Sequence, residues 1–216
     1  MQIAEFDGIE GRGLPARGEK VVMRRRTFDA LMATAGLVAA LILGVAGGLL
    51  LYAHSFVHGQ VTDQLTAQQI YFPPAGNDAL APSEIGPYLN QYAGQQLTTG
   101  AQAEAYANHF IAVHLNEIGG GQTYAQLSAK AMADPKNEAL AGQVATMFKG
   151  ETLRGLLLNA YAFDTMATVA LWAGIAALIA AAVMLVLSVL GFMHLRRTPV
   201  DAEVLLGART PAPVEP

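Results

Sequence analysis

Two stretches of this chain show no alternation between apolar and polar positions. From Thr165 to Leu195, thirty-one consecutive residues contain no Asp, Glu, Lys or Arg, and twenty-four from Ala30 to Ala53 share that character. A helix needs roughly 20 apolar residues to cross ~30 Å of hydrocarbon, and both runs exceed that. Apolar all round rather than along one stripe, they predict transmembrane helices over 28–54 and 165–195. The stretch between them, 55–164, returns to a mixed pattern. Tyr106, Phe110 and Val113, with Ile111 and Ile118 alongside, fall at helical spacing and predict a helix over Gly100–Ile118. Thr98 or Thr99 would cap its start, and Gly119 to Gly121 lie past its end. Thr123 with Gln126 has the form of a capping box opening a helix through Leu127 and Met132. Asp134-Pro135 reads as the N-cap and first residue of another helix. Pro73, Pro74, Gly76, Pro82, Gly86 and Pro87 predict a non-helical connector, followed by one short turn over Tyr88 to Ala93. No strand-like alternation is found.

Proline spacing sets how far the long helices run. None occurs between Pro15 and Pro73, so the first helix extends from Phe28 to Gln69, about 60 Å at ~1.5 Å per residue. The interval from Pro135 to Pro199 allows the same, with Gly142, Gly150 and Gly155 as points of bending. The expected fold is an all-α membrane protein: an antiparallel two-helix transmembrane hairpin whose long helices project into a small extracytoplasmic helical cap. Residues 1–27 and 196–216 are expected as cytoplasmic tails, the first of them mobile.

Small residues recur every four positions in both spans. Gly36, Ala40, Gly44 and Gly48 form one ridge, and Ala173, Ala177 and Ala181 another. Small residues let backbones approach closely, which drives helix association in lipid. The two ridges are therefore expected face to face, with a homodimer seam through Gly44 and Gly48 as the competing use. Arg24, Arg25 and Arg26 precede the first span, and Arg196 and Arg197 follow the second. The positive-inside rule then puts both termini in the cytoplasm of a cell with a plasma membrane, and 55–164 outside. Tyr52 and Trp172 would sit at the outer interface. Arg25-Arg26-Thr27-Phe28 overlaps a twin-arginine export pattern, but the apolar run is too long for a signal core, so the first span is expected uncleaved.

Composition narrows the chemistry. The net charge of −4 gives no reason to expect nucleic acid as a partner. Cysteine is absent, which excludes disulfides and thiolate chemistry. Neither span carries a charge in its middle, which argues against an ion or proton pathway. No nucleophile elbow, P-loop, His-Glu-x-x-His or dinucleotide fingerprint occurs, so neither an enzyme nor a cofactor is expected. His54 and His58, four apart, share a helix face and form the candidate metal pair. His109 and His114, five apart, point to different faces of a regular helix. His114 is expected packed beside Phe110. Glu151 and Arg154 are expected to pair at i, i+3.

VTDQLTAQQI after the first span, HLNEIGGGQTYAQLS in the loop and FKGETLRGLLLNAYAF entering the second together resemble a group of actinobacterial two-span membrane proteins. The likeness covers residues 60 to 195 and implies a bacterial cell-envelope location. Some of that group carry the name of aromatic ring-opening dioxygenases, a chemistry needing two His and a carboxylate that this chain does not lay out. The expected function is that of a non-enzymatic accessory component of the envelope. It would sit in the lipid bilayer and act through its cap on a protein partner or a second copy. The alternatives are a metal-binding or metal-sensing protein using His54 and His58, and a transport or channel subunit.

Overall fold

The structure is a computed structural model that describes residues 22–199 and 203–205. The expected N-terminal tail falls almost wholly outside the described residues, as does most of 196–216. Among the described residues, six stretches of α-helix are joined by short turns, and one strand pair sits beside the helix ends. α1 spans Arg25–Ala67 and α6 spans Glu138–Arg197, forty-three and sixty residues without a break. Gly142, Gly150 and Gly155 do not interrupt α6. Only 17% of the apolar window of α1 and 11% of that of α6 is buried. Helices at the centre of a soluble fold would be mostly covered, so these two, long and apolar enough to cross a membrane, present their side chains outward.

Contacts divide the chain into two units. The first takes the chain up to Ile42 and from Ala181 onward. Within it α1 and α6 run antiparallel, with Ala33 against Gly191 and Gly36 against Ser188. The buried Ser188 hydroxyl donates to the Met184 carbonyl one turn back (2.8 Å), so it needs no partner across the interface. Strands β1 (Val22–Arg24) and β2 (Glu203–Leu205) pair antiparallel, Val22 opposite Leu205. Nothing in the sequence pattern marks three-residue strands, and this pair is a departure from the wholly helical expectation.

The second unit, Leu43–Ala180, holds the middle region. Its α1 and α6 segments are also antiparallel, and the closest approach is at Gly47 and Gly174. The expected ridges need correcting here. On α1 the buried small residues are Ala33, Gly36, Ala40 and Gly47, a series with steps of three, four and seven. A Cβ built on Gly44 or Gly48 meets nothing within 4 Å. Steps of four drift about 40° around the helix each time, so a ridge beginning at Gly36 has left the contact face by Gly48. On α6, likewise, Gly174 is buried while Ala173 is exposed and Ala177 and Ala181 are only half-buried.

The helices of the middle region form where their local signals place them. Thr99 caps α3 (Gly100–Tyr106) and Thr123 caps α5 (Tyr124–Ala133), each in a complete capping box with the glutamine three residues on. Between them a π-turn, Ala107–Ile111, leads into α4 (Ala112–Gly119). Gly120 ends α4 at φ 58°. The Gly121 and Gly120 amides close on the Asn116 and Glu117 carbonyls, the Schellman pattern that needs a residue tolerant of left-handed backbone. Asp134-Pro135 does not open a helix: Asp134 ends α5, and Asn137 caps α6 by accepting from the Leu140 amide (3.0 Å).

The connector folds back on itself through Phe72–Gln95, Gly94–Pro73 and Leu97–Ile70 backbone bonds of 2.8 to 3.0 Å. It contains two single 3-10 turns, Asp78–Leu80 and Asn90–Tyr92, on either side of the four-residue α2 (Gly86–Leu89). Buried Gln102 ties it to α3: its carbonyl oxygen accepts from the Thr98 and Thr99 amides and its amide donates to Gln95. Phe72, Ile85, Leu89 and Leu97 form the core with Leu115, Met147 and Leu157.

Tyr106 lies edge-on to Phe72 and stacks on Phe110, and burial pushes its hydroxyl above the ordinary tyrosine value of ~10. Below pH ~10 both folded and unfolded forms keep the proton, so stability is unaffected there. Above it the unfolded chain ionises first and the middle region loses stability as pH rises. Tyr106→Phe should therefore flatten the alkaline limb of a thermal-unfolding profile between about pH 9.5 and 11 and leave the neutral value little changed. An unaltered alkaline limb would refute it.

Candidate functional site

Three sets of side chains in the second unit have organised polar or aromatic geometry. The first lies where α1 and α6 leave their apolar runs. His54 Nδ1 is 2.8 Å from the Ala167 carbonyl. A carbonyl only accepts, so Nδ1 carries a proton and donates it. One turn on, His58 Nδ1 donates to Asp164 Oδ1 at 2.6 Å, and Asp164 Oδ2 accepts from the Gly100 amide at 3.1 Å. One carboxylate thus joins α1, α6 and the start of α3. A carboxylate at a helix start is also favoured by the helix dipole.

The two imidazoles do share a face, as their spacing implies, and stack with centroids 5.6 Å apart. Each nevertheless has a protein partner on Nδ1, and the nearby carboxylate is engaged by His58 and Gly100. No group of three or more His, Asp or Glu positioned for a metal occurs among the described residues. Asp164 was not legible as a partner of His58, because 106 residues separate them.

The second set is on the connector and the π-turn after α3. Tyr88 stacks flat on His109, centroids 3.5 Å apart at 6°, while 47% exposed. Tyr71, 58% exposed, is held by a bridge to Gln96. His114 instead donates Nδ1–H to the Phe110 carbonyl (2.8 Å) and tilts against the Phe110 ring. His109 and His114 are therefore apart in use as well as direction. Phe72, next to Tyr71 on the connector, is buried in the core. Arg154 reaches Glu151 at 3.5 Å, as the i, i+3 spacing implies, and also donates to Asn108 Oδ1 at 3.1 Å. Asn108 in turn donates to Glu104 (2.8 Å), so this is a structural chain linking α6 to the π-turn.

The third is a groove of about 510 Å³ between the segments of α1 and α6 that lie beyond the apolar runs. Phe56, Val61 and Leu65 line one side, Leu153, Leu156 and Phe163 the other. No charged residue lines it. Compared with known protein families, with curated proteins and with solved structures, the chain matches none. The likeness to actinobacterial two-span proteins rests on the quoted sequence stretches alone.

Proposed function

We propose that this chain is a non-enzymatic integral membrane protein of the cell envelope that holds another envelope protein against its extracytoplasmic cap. α1 and α6 are the anchor. Arg24 to Arg26 and Arg196 with Arg197 mark the cytoplasmic side, and exposed Tyr52 and Trp172 suit the outer interface. The reading is carried by the presentation of Tyr71 and Tyr88. Both are exposed on a connector closed by backbone bonds, and His109 fixes the Tyr88 ring from behind. Rigid aromatic side chains lose little conformational freedom when a partner covers them, and such residues dominate binding energy at interfaces.

A photoreactive amino acid at Tyr71, and separately at Tyr88, tests this in native membranes. Both positions should trap the same protein. Tyr88→Ala should reduce recovery of that protein about tenfold or more, the scale of an aromatic anchor lost from an interface. Recovery of monomer and lipid alone from both positions would reject the reading. Protease applied to intact cells should cut around residues 75 to 100 and spare the stretch after Arg197; the reverse would overturn the orientation.

A further inference from the structure

We propose that the groove between α1 and α6 holds a single hydrocarbon chain of a membrane lipid. It lies at Phe56 to Leu65 on α1, with Gln68 just past the helix end, and at Leu153 to Phe163 on α6, just beyond the two apolar runs. Its volume of about 510 Å³ falls in the range of sites for small ligands. The twelve-residue step from Phe56 to Gln68 gives it a length of about 18 Å. One leaflet of a ~30 Å hydrocarbon layer is about 15 Å deep, so a lipid tail fits end to end.

The lining selects for such an occupant. Leu153, Leu156 and Phe163 are 38%, 62% and 54% exposed, apolar surface that water covers at a cost. Gln60 and Gln64 on α1 and Gln68 just past its end follow one another at steps of four, and their single mutual bond is a long 3.4 Å contact from Gln64 to Gln60. Gln60, nearest the apolar run, can donate to an ester oxygen without requiring a charged ligand, and the other two amides add no charge to the lining. The groove is also continuous with lipid. Phe56, 57% exposed, lies three residues past Ala53, and Phe163 lies two residues before Thr165. A chain therefore slides in from the outer leaflet without crossing water. This surface is separate from Tyr71 and Tyr88, and the proposal shares with the partner reading only the premise that α1 and α6 are embedded in lipid.

The test uses the full chain in phosphatidylethanolamine–phosphatidylglycerol liposomes containing a small share of phosphatidylglycerol with a diazirine at the end of one acyl chain. After irradiation, adducts should map to Leu153 and Leu156, about 18 and 14 Å beyond Thr165 along the helix. They should exceed adducts on Met132, an exposed apolar residue of α5, at least tenfold. Ala160→Trp fills the groove and should lower the Leu153 and Leu156 adducts at least fivefold. Gln60→Glu with Gln64→Glu, both exposed and so tolerated by the fold, should lower them in the same direction. Adducts confined to 30–53 and 165–195, or equal labelling of Met132, would overturn the proposal. So would a photoreactive residue at Leu156 that traps a second copy or another protein instead of lipid. Failure here with trapping at Tyr71 and Tyr88 intact leaves the partner reading standing, and the converse holds equally.

Discussion

Gly47→Leu should open the helix pair, while Gly44→Leu and Gly48→Leu should leave it closed. A Cβ at position 47 would lie 2.8 Å from Leu178 Cγ and 3.1 Å from the Gly174 carbonyl oxygen. The leucine can turn aside, but the carbonyl belongs to a helix backbone and cannot. In lipid no hydrophobic force compensates, since tails are as apolar as the side chains, and close packing is what holds two helices together. Overpacking in well-filled interiors costs about 1–3 kcal/mol, and a loss at or above the upper end is expected here. At Gly44 and Gly48 the space is open, and Leu is a better helix former than Gly by up to ~1 kcal/mol. Because the chain has no cysteine, Tyr52→Cys and Trp172→Cys introduce the only two labelling sites. Energy transfer between dyes there, followed through a detergent titration, should shift to earlier unfolding for Gly47→Leu alone. Equal shifts from Gly44→Leu would restore the expected four-residue ridge. Loss of an oligomer in the Gly44→Leu, Gly48→Leu double variant with the pair intact would identify that outer stripe as a seam between copies.

What could be read from the sequence divides by distance along the chain. The two long helices, the capping box at Thr123 and a cap at Thr98 or Thr99 depend on residues within a few positions of one another, and each was legible, although the choice of Thr99 and its full box with Gln102 came from the structure. So was the end of α4 at Gly119 to Gly121. Asp134-Pro135 misled because Pro is compatible with a first helical turn wherever it falls, whereas the cap went to Asn137, whose side chain reaches the Leu140 amide. The small-residue ridge misled for a geometric reason: Gly36 and Ala40 lie on the contact face, but a strict step of four rotates away from it. Gly47 and Gly174 belong to no four-residue repeat with the ridge members and are recognisable only when both helices are in place. The Tyr88–His109 stack and the Asp164 junction join residues distant in sequence, and no local signal points to either. The groove, similarly, is a property of two helices side by side, although its glutamines at 60 and 64 are visible in one of them.

Asp164→Ala should loosen the start of α3 without disturbing the apolar runs. The carboxylate accepts from His58 Nδ1 and from the Gly100 amide, and Gly100 is buried. Removing it strands a buried N–H and an imidazole proton. Unmade bonds of this kind cost about 1–3 kcal/mol each, with His58 counting for less because it is nearly half exposed. A combined loss of about 2–4 kcal/mol in the middle region is expected. Asp164→Asn keeps one oxygen, which can serve Gly100 or His58 but not both, and should lose about half as much. A Cβ at position 100 would fall 2.5 Å from the Asp164 Cβ, so Gly100→Ala should reproduce the effect from the other side. Amide exchange at Gly100 and Ala101 reads the junction directly, and exchange at Leu43 to Leu51 serves as the internal reference. A cycle pairing His58→Ala with Asp164→Ala separates the two bonds, since residues in contact show non-additive losses. Unchanged protection at Gly100 in Asp164→Ala would mean that packing of Leu97 and Ala103 alone holds α3. A junction of this kind bears on function because Gly100 opens α3, which runs directly into the π-turn that carries His109. If Asp164 fixes that helix, its loss should weaken trapping at Tyr88 more than at Tyr71, whose bridge to Gln96 lies on the connector and does not pass through α3.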